Sequence, residues 1–394
     1  MGFRMRRSRL QGATVGLALV ASLALAACGA GGGGGGSGTT RDPAGSAAAV
    51  DDGITALQDA LSAPTPPPFA TMADIATQFQ TAAGLDPENP NAAFFGGLGQ
   101  LIFFLDGTDA KLFIGKLGWD DFRQNDADFQ GFINAIGSAV TNATGTGPFT
   151  FPVKNPDDPI ATWQGGQLSM ADLIQFLTVT LPGQLNAAAD KLGTIPPDWS
   201  YTISIQIGFL GDGGGGAQAP QNVRSPMDTS EAVDVRLDYT DTMALRAAFS
   251  AMAGVLSAPG IWNFTGLDQF LADHTTDGVL GDIPEADIKA YFMGGQVLSK
   301  NQAGLERTLG SLIAAVDSAD KAITSLRAEQ ASQRDQSHDL LAINGGLISG
   351  ALSYDDEGEV ISYGLTALQL TAQDVKAALK GNASIGVYQP VAFV

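Results

Sequence analysis

A mainly α-helical body, folded as an irregular multi-helix bundle with one small two-stranded β-ribbon, is the architecture this chain predicts. Apolar residues recur at spacings of three and four through most of its length, as helices with one buried face require. Proline- and glycine-rich runs such as Pro64 to Pro68 cut that pattern into helix-sized pieces. Two segments, near 201–209 and 231–239, switch instead to strict alternation of apolar and polar residues.

Residues 51–62 place Ile54, Leu57 and Leu61 on one helical face. A second helix begins at Thr71, carries Ile75, Phe79 and Ala82, and ends at Gly84-Leu85-Asp86-Pro87. A third starts near Asn91 and carries Phe94, Phe95, Leu98, Leu101, Ile102 and Leu105. Residues 107–126 are of mixed character; helical spacing returns with Phe129, Phe132, Ile133, Ile136 and Val140. Pro148, Pro152, Pro156 and Pro159 mark 144–167 as irregular. An amphipathic helix follows through Leu168, Leu173, Phe176 and Leu177, with a break expected at Pro182-Gly183 before Leu185, Ala189 and Leu192.

In the alternating segments Tyr201, Ile203, Ile205, Ile207 and Phe209 share one face, as do Val233, Val235, Leu237 and Tyr239. The glycine-rich stretch between them suits an antiparallel pair whose apolar face lies on helices, giving a ribbon near 201–239. From Thr240 to Leu256 the spacing of Met243, Leu245, Ala248, Phe249 and Met252 is strongly helical. Residues 267–280 fit either type. Helices are expected over 286–298, 305–329 and 336–343, and the tail from Val360 to Leu379 is again apolar.

The N-terminus has its own logic. Arg4, Arg6, Arg7 and Arg9 precede a short apolar stretch through Val15, Leu17, Leu19, Val20, Leu23 and Leu25, too brief for a hydrocarbon core that needs about 20 apolar residues. The run Leu25-Ala26-Ala27-Cys28 resembles the lipobox of bacterial lipoproteins. That resemblance implies cleavage after residue 27, a diacylglycerol on Cys28 with palmitate label incorporated there, and a place in the bacterial cell envelope. Gly29 suits delivery to the outer membrane, facing the periplasm. Cys28 is the single cysteine, so an intrachain disulfide is excluded. Three parts follow: a signal peptide over 1–27, a lipidated and glycine-rich tether over 28–50, and a helical body over 51–394.

The stretch from Ala82 through Asp86-Pro87-Glu88-Asn89 to Ala92 resembles the junction between tetratricopeptide repeats, which implies a partial repeat-like hairpin over about 35 residues. No second copy of the junction follows at the period of about 34 residues. The acidic strand leading into the helix at 231–256, followed by Trp262 to Leu267, resembles a group of helical lipoproteins of Gram-negative bacteria. Helical lipoproteins of sterol and lipid export and of periplasmic substrate capture share that plan. The resemblance implies a groove for an apolar ligand.

Shedding residues 1–27 leaves 17 basic against 41 acidic side chains and a formal net charge of −24. Such a field repels nucleic acid. His274 and His338 stand outside any compact zinc spacing, and each reads as a surface or capping residue. Asp120-Asp121, Asp157-Asp158 and the 355–359 loop lack the alternation of a calcium loop and read as solvated turns. No phosphate-binding glycine motif, catalytic carboxylate pair or cofactor is indicated, so the chain is expected not to be an enzyme. The adjacent pairs Phe94-Phe95 and Phe103-Phe104 cannot share one narrow stripe, because neighbours on a helix diverge by about 100°. Either their helix is buried on several sides, or with Phe249 and Met252 they line a pocket for a neutral lipid or sterol between the N-terminal helices and 240–256. The expectation is a transport accessory working with envelope transport proteins; the alternative is a structural or assembly scaffold at the outer membrane.

Overall fold

The computed structural model describes residues 41–132, 134, 170–206, 232–262 and 301–332, with shorter pieces at 270, 273–276, 279–280, 284–293 and within 342–364. The signal stretch and Cys28 lie outside the described residues, as do the expected features at 144–167 and His338.

The predicted mainly helical bundle forms. Helices α1 (Pro43–Ser62), α2 (Phe69–Leu85), α3 (Pro90–Asp106) and α4 (Thr108–Lys116) follow one another closely. After them come α5 (Met170–Gln175), α6 (Leu181–Gly193), strands β1 (Ser200–Ile205) and β2 (Val233–Asp238), and α7 (Tyr239–Ser257). Beyond a short 3-10 turn at Ala258–Ile261 lie α8 (Glu285–Met293) and α9 (Gln302–Ala331).

Helices α1, α2, α3, α6, α7 and α9 form a row in which each packs on the next. Hydrogen bonds, and for α6 and α7 the approach of Gly193 to Arg246, fit successive members running antiparallel. Ser46 on α1 donates to the Ala82 carbonyl on α2 (2.8 Å), and Gln80 on α2 donates to the Gly96 carbonyl on α3 (2.6 Å). Gln100 on α3 donates to Gln184 on α6 (2.8 Å), and Thr240 at the start of α7 donates to Glu329 near the end of α9 (2.8 Å). Glycine allows two of the closest approaches. A Cβ on Gly97 would meet Leu192 Cγ at 3.1 Å, and one on Gly254 would meet Leu312 Cδ2 at 2.6 Å.

The ribbon is antiparallel, with Tyr201 opposite Leu237 and Ile203 opposite Val235. Ile203, Val235 and Leu237 are buried, while Thr202 and Asp234 are exposed, as period-two alternation requires. Gln58 of α1 donates to the Ser204 carbonyl at 2.8 Å and ties the ribbon to the helical row.

Four local details differ from the spacing-based reading. The first helix begins at Pro43 rather than 51, so the last ten residues of the expected tether belong to the folded body. Asp42 caps it by accepting from Gly45 N at 2.9 Å, and Pro43 occupies the first turn, where its missing N–H costs nothing. Ser46, a polar residue, fills its inner face and hid that turn from a search for apolar spacing. The mixed segment 107–126 holds α4, with Ala110, Phe113 and Ile114 buried; Gly118, at φ 87°, turns the chain after it. At Pro182 the chain does not break: a π-turn over Phe176–Thr180 absorbs the proline, which becomes part of the first turn of α6. Finally, Ile343 lies in a strand rather than a helix. The strand Ala342–Asn344 pairs antiparallel with Leu347–Ser349. Further short antiparallel pairs join Thr275–Thr276 to Val279–Leu280, Asp355–Asp356 to Glu359–Val360, and Leu347–Ile348 to Tyr363–Gly364.

Candidate functional site

The expected aromatic residues are used against protein. Phe95 stacks on Phe79 at 5.0 Å between ring centroids and meets Tyr201 edge-on at 5.6 Å. Phe94 lies 4.9 Å from Trp199, whose indole N–H donates to Asn91 at 2.7 Å. Phe104 lies 5.9 Å from Phe176, which stacks on Phe113 at 3.8 Å. Phe103 is partly buried against the same core. Helix α3 is thus covered by α2, the ribbon, α6 and α4, so its apolar residues point all round. Phe249 is buried on α7, and α6 stands between α3 and α7, with Leu185, Ala188, Ala189 and Leu192 buried. The six residues therefore do not converge on one space.

Met252 is the member that faces out, 40% exposed, one helical turn from Val255 at 66%; Trp262, past the turn that ends the helix, is 40% exposed. These exposed apolar residues lie at and just beyond the C-terminal end of α7, where Gly260 sits against Thr178. By length and composition alone Tyr239–Ile261 could cross a membrane. In the fold this helix packs between α6 and α9. A capping box holds its start: Asp238 accepts from Thr240 N at 2.8 Å, and Asp241 accepts from Asp238 N at 3.0 Å.

Charged side chains clamp both ends of the N-terminal helices. At one end Arg41 donates to Asp86 at 2.6 Å and also to Glu88, and the guanidinium holds the Asp86 carboxyl below the usual carboxylate range. At the other end Arg123 grips Asp106 through two N–H groups at 2.6 and 2.8 Å and reaches Asp74 at 2.9 Å. Burial raises the Asp106 carboxyl, but the bonds from Arg123 and Lys111 outweigh it and the net direction is down. Asp121 joins this clamp through Lys111 at 3.4 Å, so that half of the Asp120-Asp121 pair is structural.

His274 caps a helical turn. Its Nδ1 lies 2.8 Å from the Phe270 carbonyl and its Nε2 3.2 Å from Asp287 of α8. The bond to Phe270 and then the Asp287 carboxylate raise its pKa. Among the described residues, no three His, Cys, Asp or Glu side chains are grouped so as to hold a metal ion.

One polar cluster went unseen in the sequence. Lys191, on α6, donates to Gln100 Oε1 of α3 at 2.8 Å and to Gln80 Oε1 of α2. Gln100 in turn donates to Gln184, and Gln80 to the Gly96 carbonyl, so two amide side chains hold the amine where three helices meet, with a third behind them. Lys111, Lys116 and Lys289 all face carboxylates; Lys191 faces amides, and burial lowers its pKa to about 8. A signal was present: Gln184, Ala188 and Lys191 recur on one helical face, and a lysine on an inward stripe is unusual.

Comparison of the chain with protein-family models, curated proteins and solved structures finds no match.

Proposed function

We propose that this protein is a lipid-anchored, non-enzymatic body of the bacterial cell envelope that acts by binding, as a scaffold holding envelope partner proteins. The lipobox-like run ending at Cys28 supports the anchor and the outer-membrane, periplasm-facing location. The carrying observation for the scaffold reading is that Phe94, Phe95 and Phe104 pack ring on ring against neighbouring helices and the ribbon. An enclosed lipid carrier would keep such rings free. The apolar strip of Met252, Val255 and Trp262 is the contact surface this reading uses.

A second reading stays in view because Met252 is exposed on that strip: a neutral lipid or sterol bound at the surface, delivered to envelope transport proteins. One experiment separates the two. A photo-crosslinking residue at Val255 in the native host should capture a discrete protein partner, while a fluorescent sterol should show no saturable binding to the purified chain. Saturable sterol binding that Met252→Asp abolishes would put the carrier reading ahead. Neither crosslink nor sterol binding would sink both.

A further inference from the structure

A two-stranded ribbon leaves an outer edge on each strand, where main-chain groups await a partner. In an antiparallel pair, opposite residues alternate between those that exchange N–H···O=C bonds and those whose main-chain groups turn outward. Two contacts fix which residues are which. The Ser204 carbonyl is taken by the Gln58 side chain of α1, and the Asp238 N–H by the Asp241 carboxylate of its own cap. Ser204 stands opposite Asp234, Thr202 opposite Arg236 and Ser200 opposite Asp238, so these are the outward-turned pairs. On β2, Asp238 is already used as the helix cap, its carbonyl accepting from Thr242. Among the described residues, the outward main-chain groups of Asp234 and Arg236 meet no hydrogen-bond partner.

The side chains on that edge carry opposite signs. Asp234 is exposed and Arg236 half-buried, and across the ribbon they face the neutral Ser204 and Thr202. Asp234 accepts from the Ser204 hydroxyl; among the described residues Arg236 has no ion-pair partner, in a chain with 41 acidic side chains. Val235, between them, is buried on the apolar face. A two-fold axis through Val235 sets Asp234 of one copy opposite Arg236 of the other, and does so twice. The same register brings outward-turned residues face to face, so the two pairs exchange four main-chain hydrogen bonds.

We propose that β2 is a self-association edge, on which a second copy of this chain pairs antiparallel through Asp234, Val235 and Arg236 to make one four-stranded sheet. The charge pattern selects the occupant, because it is its own complement under that axis. The edge is also locally neutral, so two copies of a chain with a net charge of −20 meet there without like charges opposed. Two strands alone are marginal, and four sharing one apolar face are less so. The contact is a single short strand, so a dissociation constant of roughly 0.1 mM is expected.

Sedimentation equilibrium of the full chain in density-matched detergent, over concentrations spanning that value, tests this. Asp234→Arg alone and Arg236→Asp alone each oppose like charges at both contacts and should weaken association about ten-fold. An equal mixture of the two variants restores opposite signs at every contact and should associate like the parent. The double variant, with both exchanges in one chain, should also self-associate, which keeps the test decisive if a single variant fails to fold by circular dichroism. A parent that stays monomeric overturns the proposal, and so do folded single variants that associate like the parent. Failure of both the mixture and the folded double variant to associate overturns it as well.

Discussion

Lys191 makes its own contribution to the pH dependence of stability. Its folded pKa lies at about 8 against an ordinary 10.5, so between those values the unfolded chain binds more protons than the folded one. Stability from this group therefore rises with pH across that window, the reverse of a lysine held by a carboxylate. At neutral pH the buried ammonium opposes folding by about 3 kcal/mol. In urea titrations at pH 7 and pH 10, the parent should gain about 2–3 kcal/mol relative to Lys191→Met on going to the higher pH. A constant difference between the two proteins would show that the amine is solvated like any surface lysine. The paired phenylalanines teach a second lesson at this scale. Their spacing revealed that α3 has no single inner face. It could not reveal whether the extra face met protein or ligand, because Phe79, Trp199, Tyr201 and Phe176 come from distant parts of the chain.

At the scale of elements, turn and cap residues were more legible than packing distances. Asn89 was readable as a helix start, and it accepts from Asn91 N at 3.0 Å while donating to Ser46 of α1 at 2.9 Å. The hairpin of α2 and α3 forms around it. A helical hairpin occurs in many folds, so what stands is a multi-helix bundle. The approach of α7 and α9 was invisible, since glycine in a helix signals close contact only once the neighbour is known. Gly254→Ala should destabilise the fold by about 1–2 kcal/mol, because overpacking outweighs the gain in helix propensity. Gly310→Ala is the control: its Cβ would meet nothing within 4 Å, and it should be neutral or stabilising by about 1 kcal/mol. Equal urea midpoints for the two variants would contradict the close approach of Leu312 to Gly254.

For the whole molecule, the early start of α1 shortens the expected tether and gives the body an orientation. Only residues 29–40 separate Cys28 from Arg41, a length of chain that can reach at most about 45 Å. Arg41 is clamped to Asp86 and Glu88 at one end of the helical row. The strip of Met252, Val255 and Trp262 lies at the other end, beside Thr178 and the 3-10 turn, about 30 Å away along the helices. If Cys28 carries the lipid, the Glu88 end should face the bilayer and the strip should face away from it. Fluorophores attached at Glu88→Cys and Val255→Cys in lipid nanodiscs would test this with headgroup-bound quenchers. Stronger quenching at 88 is expected, and stronger quenching at 255 would refute the orientation.

By itself the sequence determined the helical class, the ribbon and its faces, and the acidic charge. Each of these is written in residues close together in the chain, through periodicity, capping or composition. The tertiary structure decided what those rules leave open. It placed α6 between α3 and α7, turned the paired phenylalanines onto neighbouring rings, and set an amine between two glutamines. Those outcomes depend on side chains separated by 16 positions, as for Phe79 and Phe95, up to 108 positions, as for Asn91 and Trp199. A local pattern states which face of a helix is apolar. Which neighbour covers that face follows from close packing of the whole body.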